Sequence, residues 1–232
     1  MIRIYYHIYS IEGVESIIDE QLSLIEKHFD FPYILNIGIS IADDNSPTDS
    51  IIKQLHTYNN INNIVKDSHQ KGNEFVTLNL IEKDKETFAD SDFIFYFHTK
   101  GASNLKNKNK YPNAVNWRNL MQYFNIEKNK TIFKIFEKTD FNTYGMALKN
   151  ISNDTSQNRI YSSIPYYHGN FWWMTAEYAK TINIDSIDTS KRWEAEFQYI
   201  QKGIGWKPYS EYNNGEPNYK INLRKKDYTS LI

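Results

Sequence analysis

The run Asp92-Phe-Ile-Phe-Tyr-Phe-His98-Thr99-Lys100-Gly101 constrains this fold more than any other stretch. Its Phe, Ile and Tyr residues show no polar alternation, which predicts a strand buried on both faces, as in the middle of a parallel sheet. Such sheets bind ligands just beyond the carboxyl ends of their strands. His98, Thr99 and Lys100 are therefore expected at a cleft, with Gly101 letting the backbone turn sharply. An ordinary core strand capped by a polar turn would carry the same tetrapeptide, so the surrounding pattern decides.

That pattern is alternating. Arg3 to Tyr9 predicts a first strand, and Ile17, Ile18, Leu22, Leu24 and Ile25 recur at helical spacing after Ser16, up to about His28. Beyond Pro32, Tyr33 to Ile41 predicts a second strand running into Asp43-Asp44-Asn45-Ser46-Pro47-Thr48-Asp49, followed by a helix from Ser50 to Tyr58. A short third strand is expected at Ile64 to Lys66, and Gly72-Asn73-Glu74 opens a helical stretch through Ile81. Strand and helix thus alternate to Gly101, which predicts an α/β protein: a mostly parallel sheet covered by helices on both faces. Beyond Gly101 the reading is helices at Asn113 to Phe124 and Thr131 to Lys138, a strand at Phe141 to Leu148, and a loop over residues 149–160. A helix at Thr175 to Thr181 and a last one at Lys191 to Gln201 follow, with a coil-rich tail holding one short strand. The basic run Asn104 to Lys110 reads as a mobile surface loop. No linker marks a boundary, so residues 1–232 are expected to form one domain, with a ligand-binding half over residues 1–101 and a second half over 102–232.

Composition removes some classes of function. The 27 Lys and Arg residues against 28 Asp and Glu give a net charge of −1, so no global field favours nucleic acid or an anionic membrane. With no cysteine there is neither a disulfide framework nor a thiolate zinc site, which suits a reducing compartment. The N-terminal run is interrupted by Arg3 and His7, and no later run reaches membrane-spanning length, so the expectation is a cytoplasmic chain without leader or span.

Taken together, the acidic turn at Asp43 to Asp49, the helix start at Gly72-Asn73-Glu74 and the His98-Thr99-Lys100-Gly101 turn resemble the nucleotide-sugar half of GT-A-fold glycosyltransferases, over about residues 2–101. Asn116-Trp117-Arg118, His168-Gly169-Asn170-Phe171-Trp172-Trp173 and Arg192-Trp-Glu-Ala-Glu196 extend the likeness to a little-studied glycosyltransferase-like group pairing a His-Thr-Lys-Gly turn with a Gly-Asn-Phe-Trp-Trp segment. The resemblance implies a GT-A-like, Rossmann-like sheet and transfer of a sugar from a nucleotide-sugar donor to a hydroxyl of a glycan or glycoconjugate. It places donor contacts at Asp43, Asp44, Asn73, His98, Thr99, Lys100 and Gly101. His7 and Tyr9, which end the first strand, are further donor candidates, as is Arg118; a satisfied core histidine and a solvated helix arginine are the ordinary alternatives.

The resemblance departs from most GT-A enzymes at one point. Where they carry Asp-X-Asp to hold a divalent cation, this chain has His98-Thr99-Lys100, so a manganese or magnesium ion is expected to contribute little or nothing, and the metal ligands stay unassigned. Asp90-Ser91-Asp92 has the spelling but enters the strand, at the opposite end of the sheet from the cleft, where it reads as solvation of a helix end and a strand start. On the last helix Trp193, Glu196, Phe197 and Ile200 share one face. A carboxylate there is costly unless paired or functional, which leaves a catalytic base and a structural ion pair of Glu196 with Arg192 equally open; the resemblance, in which GT-A enzymes that invert the anomeric centre place an acidic base in a comparable late segment, implies Glu196 as the first candidate base and Glu194 as the second. The acceptor side is expected at His168, Gly169, Asn170, Trp172 and Trp173, with one of the two Trp rings facing the cleft to stack on a sugar. Two rival readings stay open: a catalytically silent nucleotide- or glycan-binding domain, and a sugar nucleotidyltransferase, the latter disfavoured by the lack of a Gly-rich basic loop near the first strand.

Overall fold

The computed structural model describes residues 1–68, 73–149, 165–212 and 225–229; the side chains of residues 149, 193, 196 and 197 lie outside the described ones. The first strand, β1 (Ile2–Ser10), is followed by helix α1 (Glu15–His28), β2 (Tyr33–Ile41), α2 (Thr48–Leu55), β3 (Ile61–Asp67), α3 (Phe75–Asp84) and β4 (Phe93–His98). Next come α4 (Tyr111–Gln122), a π-helical turn at Tyr123–Glu127, α5 (Asn129–Lys138), β5 (Thr143–Gly145), β6 (Leu148–Lys149) and β7 (Tyr166–Tyr167). The described chain is completed by β8 (Trp172–Thr175), α6 (Ala176–Thr181), α7 (Arg192–Phe197), β9 (Pro208–Ser210) and α8 (Lys225–Thr229).

Seven strands form one sheet in the order β3-β2-β1-β4-β8-β5-β9, while β6 and β7 pair separately. β1 pairs in parallel with β2 and β4, and β2 with β3. β8 runs antiparallel to both of its neighbours, and β5 and β9 are parallel to each other. The expected α/β architecture with a mostly parallel sheet is thus present, with β8 as its one reversed strand.

Strand pleating divides the core in two. Ile4, Tyr6, Ile8, Ile37, Ile39, Phe95, Phe97 and Trp173 pack under α1, α2, α4 and α5. Tyr5, Ile94, Tyr96, Trp172 and Met174 face the other way, onto α3 and α6. Both faces of β1 and β4 are therefore covered, which is why their sequences lack alternation. The strand expected over Phe141 to Leu148 is shorter, because β5 ends at Gly145, where an added Cβ would collide with the Tyr167 ring. The helix expected over Lys191 to Gln201 is α7 followed by a separate 3₁₀ turn at Tyr199–Gln201. Part of the loop expected at 149–160 and part of the coil-rich tail lie outside the described residues. Asp92 is not a solvated helix-end residue: it is buried at the amino end of β4, 2.8 Å from Arg3 Nε and 3.1 Å from the N-terminal nitrogen. Burial alone would raise its pKa, but these two cations hold it below the usual carboxylate range.

Candidate active site

Because β1, β2 and β4 are parallel and in register, with His7 level with His98 and Ser10 level with Ile41, their following turns open on one edge of the sheet. There a cleft of about 280 Å³ is lined by Glu74, His98, Lys100, Ser103, Asn104 and Arg192, and by His7 and Tyr9 of β1. Thr99 and Gly101 line it as well, Gly101 turning the backbone at φ +92°.

The most polar part of the cleft is centred on Glu74, which is 4% exposed. Its Oε2 accepts hydrogen bonds from the Tyr96 hydroxyl and from Asn170 Nδ2, both at 2.5 Å. Asn170 Oδ1 in turn accepts from Trp172 Nε1 at 2.7 Å. His98 Nε2 lies 3.0 Å from the Gly169 carbonyl. A carbonyl only accepts, so Nε2 carries a proton, and Nδ1 is directed toward Glu74 Oε1 at 3.6 Å. Asn73 fixes the start of α3: its Oδ1 accepts the Phe75 N–H at 3.0 Å and its Nδ2 donates to the Thr189 carbonyl at 3.0 Å, tying α3 to the segment before α7.

Two cations also line the cleft, half-buried Lys100 and exposed Arg192. Arg118, expected to touch the donor, is placed differently. It is 2% exposed; its Nε and one terminal nitrogen grip both Glu20 oxygens at 3.0 and 2.8 Å, and the other donates to the Lys100 carbonyl at 2.9 Å. Burial opposes its charge, but the Glu20 carboxylate holds its pKa up. Its role is to hold the turn that carries Lys100.

The other donor-side residues divide between cleft and scaffold. His7 is a satisfied core histidine: Nδ1 meets Thr77 Oγ1 at 3.0 Å and Nε2 meets Ser40 Oγ at 3.2 Å. Burial lowers its pKa to about 3, so the ring is neutral at pH 7. Thr99 Oγ1 accepts the Tyr9 N–H at 3.0 Å and pins β1 to the turn. Asp43 and Asp44 line a second hollow of about 450 Å³ at the end of β2, on the same sheet edge, where Asp43 Oδ1 accepts the Asn45 N–H at 2.9 Å.

On the acceptor side, Gly169 and Asn170 border Glu74 and His98 as described, and His168 is half-buried with its ring 5.3 Å from that of Trp117. The expectation that one Trp of the pair faces the cleft is corrected: Trp172 and Trp173 are both fully buried. As neighbours on β8 they point to opposite faces of the sheet. Trp172 stacks between Tyr96 and Tyr199, and Trp173 lies against Phe95 and Phe29. Glu194 is buried and its Oε2 accepts the Asp188 N–H at 3.0 Å, which makes it a brace for the loop before α7. Glu196 belongs to the same helix that brings Arg192 to the cleft; its side chain lies outside the described ones.

A divalent cation bound through the protein needs several hard oxygen donors. Among the described residues no group of three or more His, Asp or Glu could hold one. At the cleft, Glu74 Oε2 is already engaged by two donors and the other ionisable groups lining it include two imidazoles and two cations, so the described side chains do not compose a ligand set.

The sequence reading missed Glu74 and Arg192 as cleft residues. Glu74 had a legible signal, an acid immediately before the apolar helix Phe75 to Ile81; Arg192 had none beyond its place at the head of α7.

No protein-family model matches the chain, and no curated protein sequence matches it. Among solved structures, the chain is similar over 99% of its length to a 4-diphosphocytidyl-2C-methyl-D-erythritol synthase, with 11% identity, a TM-score of 0.43 and 95% of that chain covered. It is likewise similar over 99% of its length to the mannosyltransferase PcManGT from Pyrobaculum calidifontis, in complex with GDP-Man and Mn2+, with 10% identity and a TM-score of 0.47; the match spans 59% of that chain.

Proposed function

We propose that this chain is a glycosyltransferase that moves a sugar from a nucleotide-sugar donor to a hydroxyl of a glycan or glycoconjugate. The observation that supports this reading is one cleft, at the carboxyl edge of parallel strands, lined by two cations and a buried carboxylate. Lys100 and Arg192 supply charge for a diphosphate, and that charge matters most as the leaving group gains negative charge in the transition state. In the transfer, the acceptor oxygen forms a bond to the anomeric carbon as the bond from that carbon to the phosphate oxygen breaks. The acceptor proton passes to a base, which we assign to Glu196 on α7, and the nucleoside diphosphate departs. Asp43 and Asp44, on the same edge, are assigned to the nucleotide base, and His168 to the acceptor. Among the described residues no helix is long and apolar enough to cross a membrane.

Calorimetric titration with nucleoside diphosphates and nucleotide-sugars tests the site. Charge-assisted contacts are worth about 1.5–3 kcal/mol, so Lys100→Ala and Arg192→Ala should each weaken binding about 10- to 100-fold. Glu196→Gln should retain donor binding and lose about 10²–10⁴-fold in transfer rate. Failure of every nucleotide in the panel to bind would overturn the proposal.

A further inference from the structure

A second groove, of about 450 Å³, lies between α1 and α4 and is also lined by the π-helical turn and α8. That volume is within the range of ordinary small-molecule sites. Its lining follows from helical spacing. Asn116, Asn119 and Gln122 succeed one another at intervals of three on α4, which places their amides along one face of that helix. On α1 the facing stripe runs from Glu20 through half-buried Leu24 to Lys27. The carboxylates in this groove are compensated where they stand. Glu20 is gripped by Arg118 at 2.8 Å and accepts from Gln122 Nε2 at 2.9 Å, while both oxygens of Glu127 accept from Lys225 Nζ, at 2.8 and 2.9 Å.

The chemistry of the groove selects its ligand. A strongly ionic ligand would have to compete with these pairs, at a cost in charge-assisted hydrogen bonds. An amide offers both a donor and an acceptor, and so does a hydroxyl, so a row of amides suits a neutral ligand rich in hydroxyls. Leu24 supplies an apolar surface for the C–H face of a ring. The groove also adjoins the transfer cleft, because the guanidinium that grips Glu20 donates to the Lys100 carbonyl at 2.9 Å. A reaction in that cleft brings one neutral polyhydroxyl partner to this side of the molecule, its acceptor. We propose that the groove between α1 and α4 is a carbohydrate subsite that holds a neutral segment of a glycan through the amides of Asn116 and Asn119. The proposal rests on the proposed function for the identity of the ligand as a glycan and adds a binding site outside the cleft. No bond is made or broken there.

Saturation-transfer NMR titrations of the full chain with neutral trisaccharides of glucose, galactose, mannose and N-acetylglucosamine, and with one trisaccharide carrying a carboxylate, test the subsite. Nucleoside diphosphates titrated into the same samples report on the cleft. Asn119 is exposed on α4, so both of its variants should fold. At least one neutral trisaccharide should bind the wild type. Asn119→Tyr fills the groove and should abolish that binding. Asn119→Ala removes one amide and should weaken it roughly 2- to 10-fold, which keeps the test decisive if the bulky variant folds poorly. Diphosphate affinity should be unchanged in both. Trisaccharide binding that survives intact in both variants would place the glycan elsewhere and overturn the proposal, as would a preference of more than about tenfold for the acidic trisaccharide. Binding of diphosphates with no trisaccharide bound would overturn the subsite and leave the proposed function standing. If neither class binds, both are wrong.

Discussion

Replacing Gly169 by Ala tests the architecture beneath the cleft. Gly169 sits at φ +100°, and a Cβ built on it would lie 2.8 Å from Trp117 Nε1, 3.1 Å from Trp117 Cε2 and closer still to the Met121 sulfur. Met121 is flexible and can give way. Trp117 cannot do so cheaply, because its indole is fully buried in the larger core cluster. Two costs add: roughly 1–2 kcal/mol for an L-residue on the left-handed side and about 1–3 kcal/mol for overpacking. Their sum, about 2–5 kcal/mol, corresponds to roughly 5–15 °C in Tm at this chain length. Thermal scanning, with urea titration to verify an unchanged m-value, measures it. Gly205→Ala supplies the control: φ is +72° but nothing lies within 4 Å of the added Cβ, so only the backbone cost should appear. Equal shifts in the two variants would refute the packing argument, and a Gly169→Ala protein as stable as the wild type would refute the whole account.

Three further outcomes follow from the same geometry. His7 titrates at about 3 in the folded chain against 6.5 unfolded, so its contribution is complete above pH 6.5 and declines as pH falls from there toward 3. Between pH 7 and 5 this amounts to about 2 kcal/mol, and His7→Gln should remove that much of the wild-type slope in urea titrations; an unchanged slope counts against it. Arg118→Lys replaces a fork by a point charge that cannot grip Glu20 and the Lys100 carbonyl together; a loss of roughly 1–3 kcal/mol is expected, with weaker diphosphate binding because the Lys100 turn is loosened, whereas retained affinity would separate the clamp from the site. Transfer activity should survive excess chelator, with Lys100 and Arg192 meeting the diphosphate charge; loss of activity restored by manganese or magnesium would assign that role to a metal.

How much of this was legible depended on whether the signal was local. β2 was predicted at its observed bounds, Tyr33–Ile41, and β4 and α1 within a residue or two, because a continuous apolar run or a three-four spacing between breakers leaves few alternatives. β3 extends well beyond the three residues expected, since Asn62 and Asn63 hide the strand pattern; Asn62 Nδ2 instead donates to Asn36 Oδ1 at 2.8 Å, a polar pair at the register shift where the edge strand β3 meets β2, which no propensity argument anticipates. The Trp pair failed for a different reason. Adjacency correctly implied opposite directions, but in a sheet covered on both faces opposite directions are both inward.

The site was harder because its groups converge only through pairing of distant strands. The His98-Thr99-Lys100-Gly101 and Gly169-Asn170-Phe171-Trp172-Trp173 segments look independent in the sequence, yet β4 and β8 pair antiparallel with Tyr96 level with Trp172. Continuing that register past the last pair brings His98 level with Asn170, so the two motifs are the two sides of one strand end. Their conformations fit this role: Gly169 and Asn170 both adopt positive φ, bending the chain before β8 so that the Gly169 carbonyl meets the His98 ring and the Asn170 amide meets Glu74. Glu74 arrives from a third segment, the head of α3, and closes the arrangement by joining Tyr96 of β4 to Asn170. A carboxylate this deep is tolerated only where donors meet it. Here those donors come from β4 and from the turn into β8, so the charge and the strand pairing hold each other in place. It follows that the buried Glu74 carboxylate and the fold of the cleft edge are one structure, and that Asn170, whose amide bridges Glu74 and Trp172, should be intolerant of substitution.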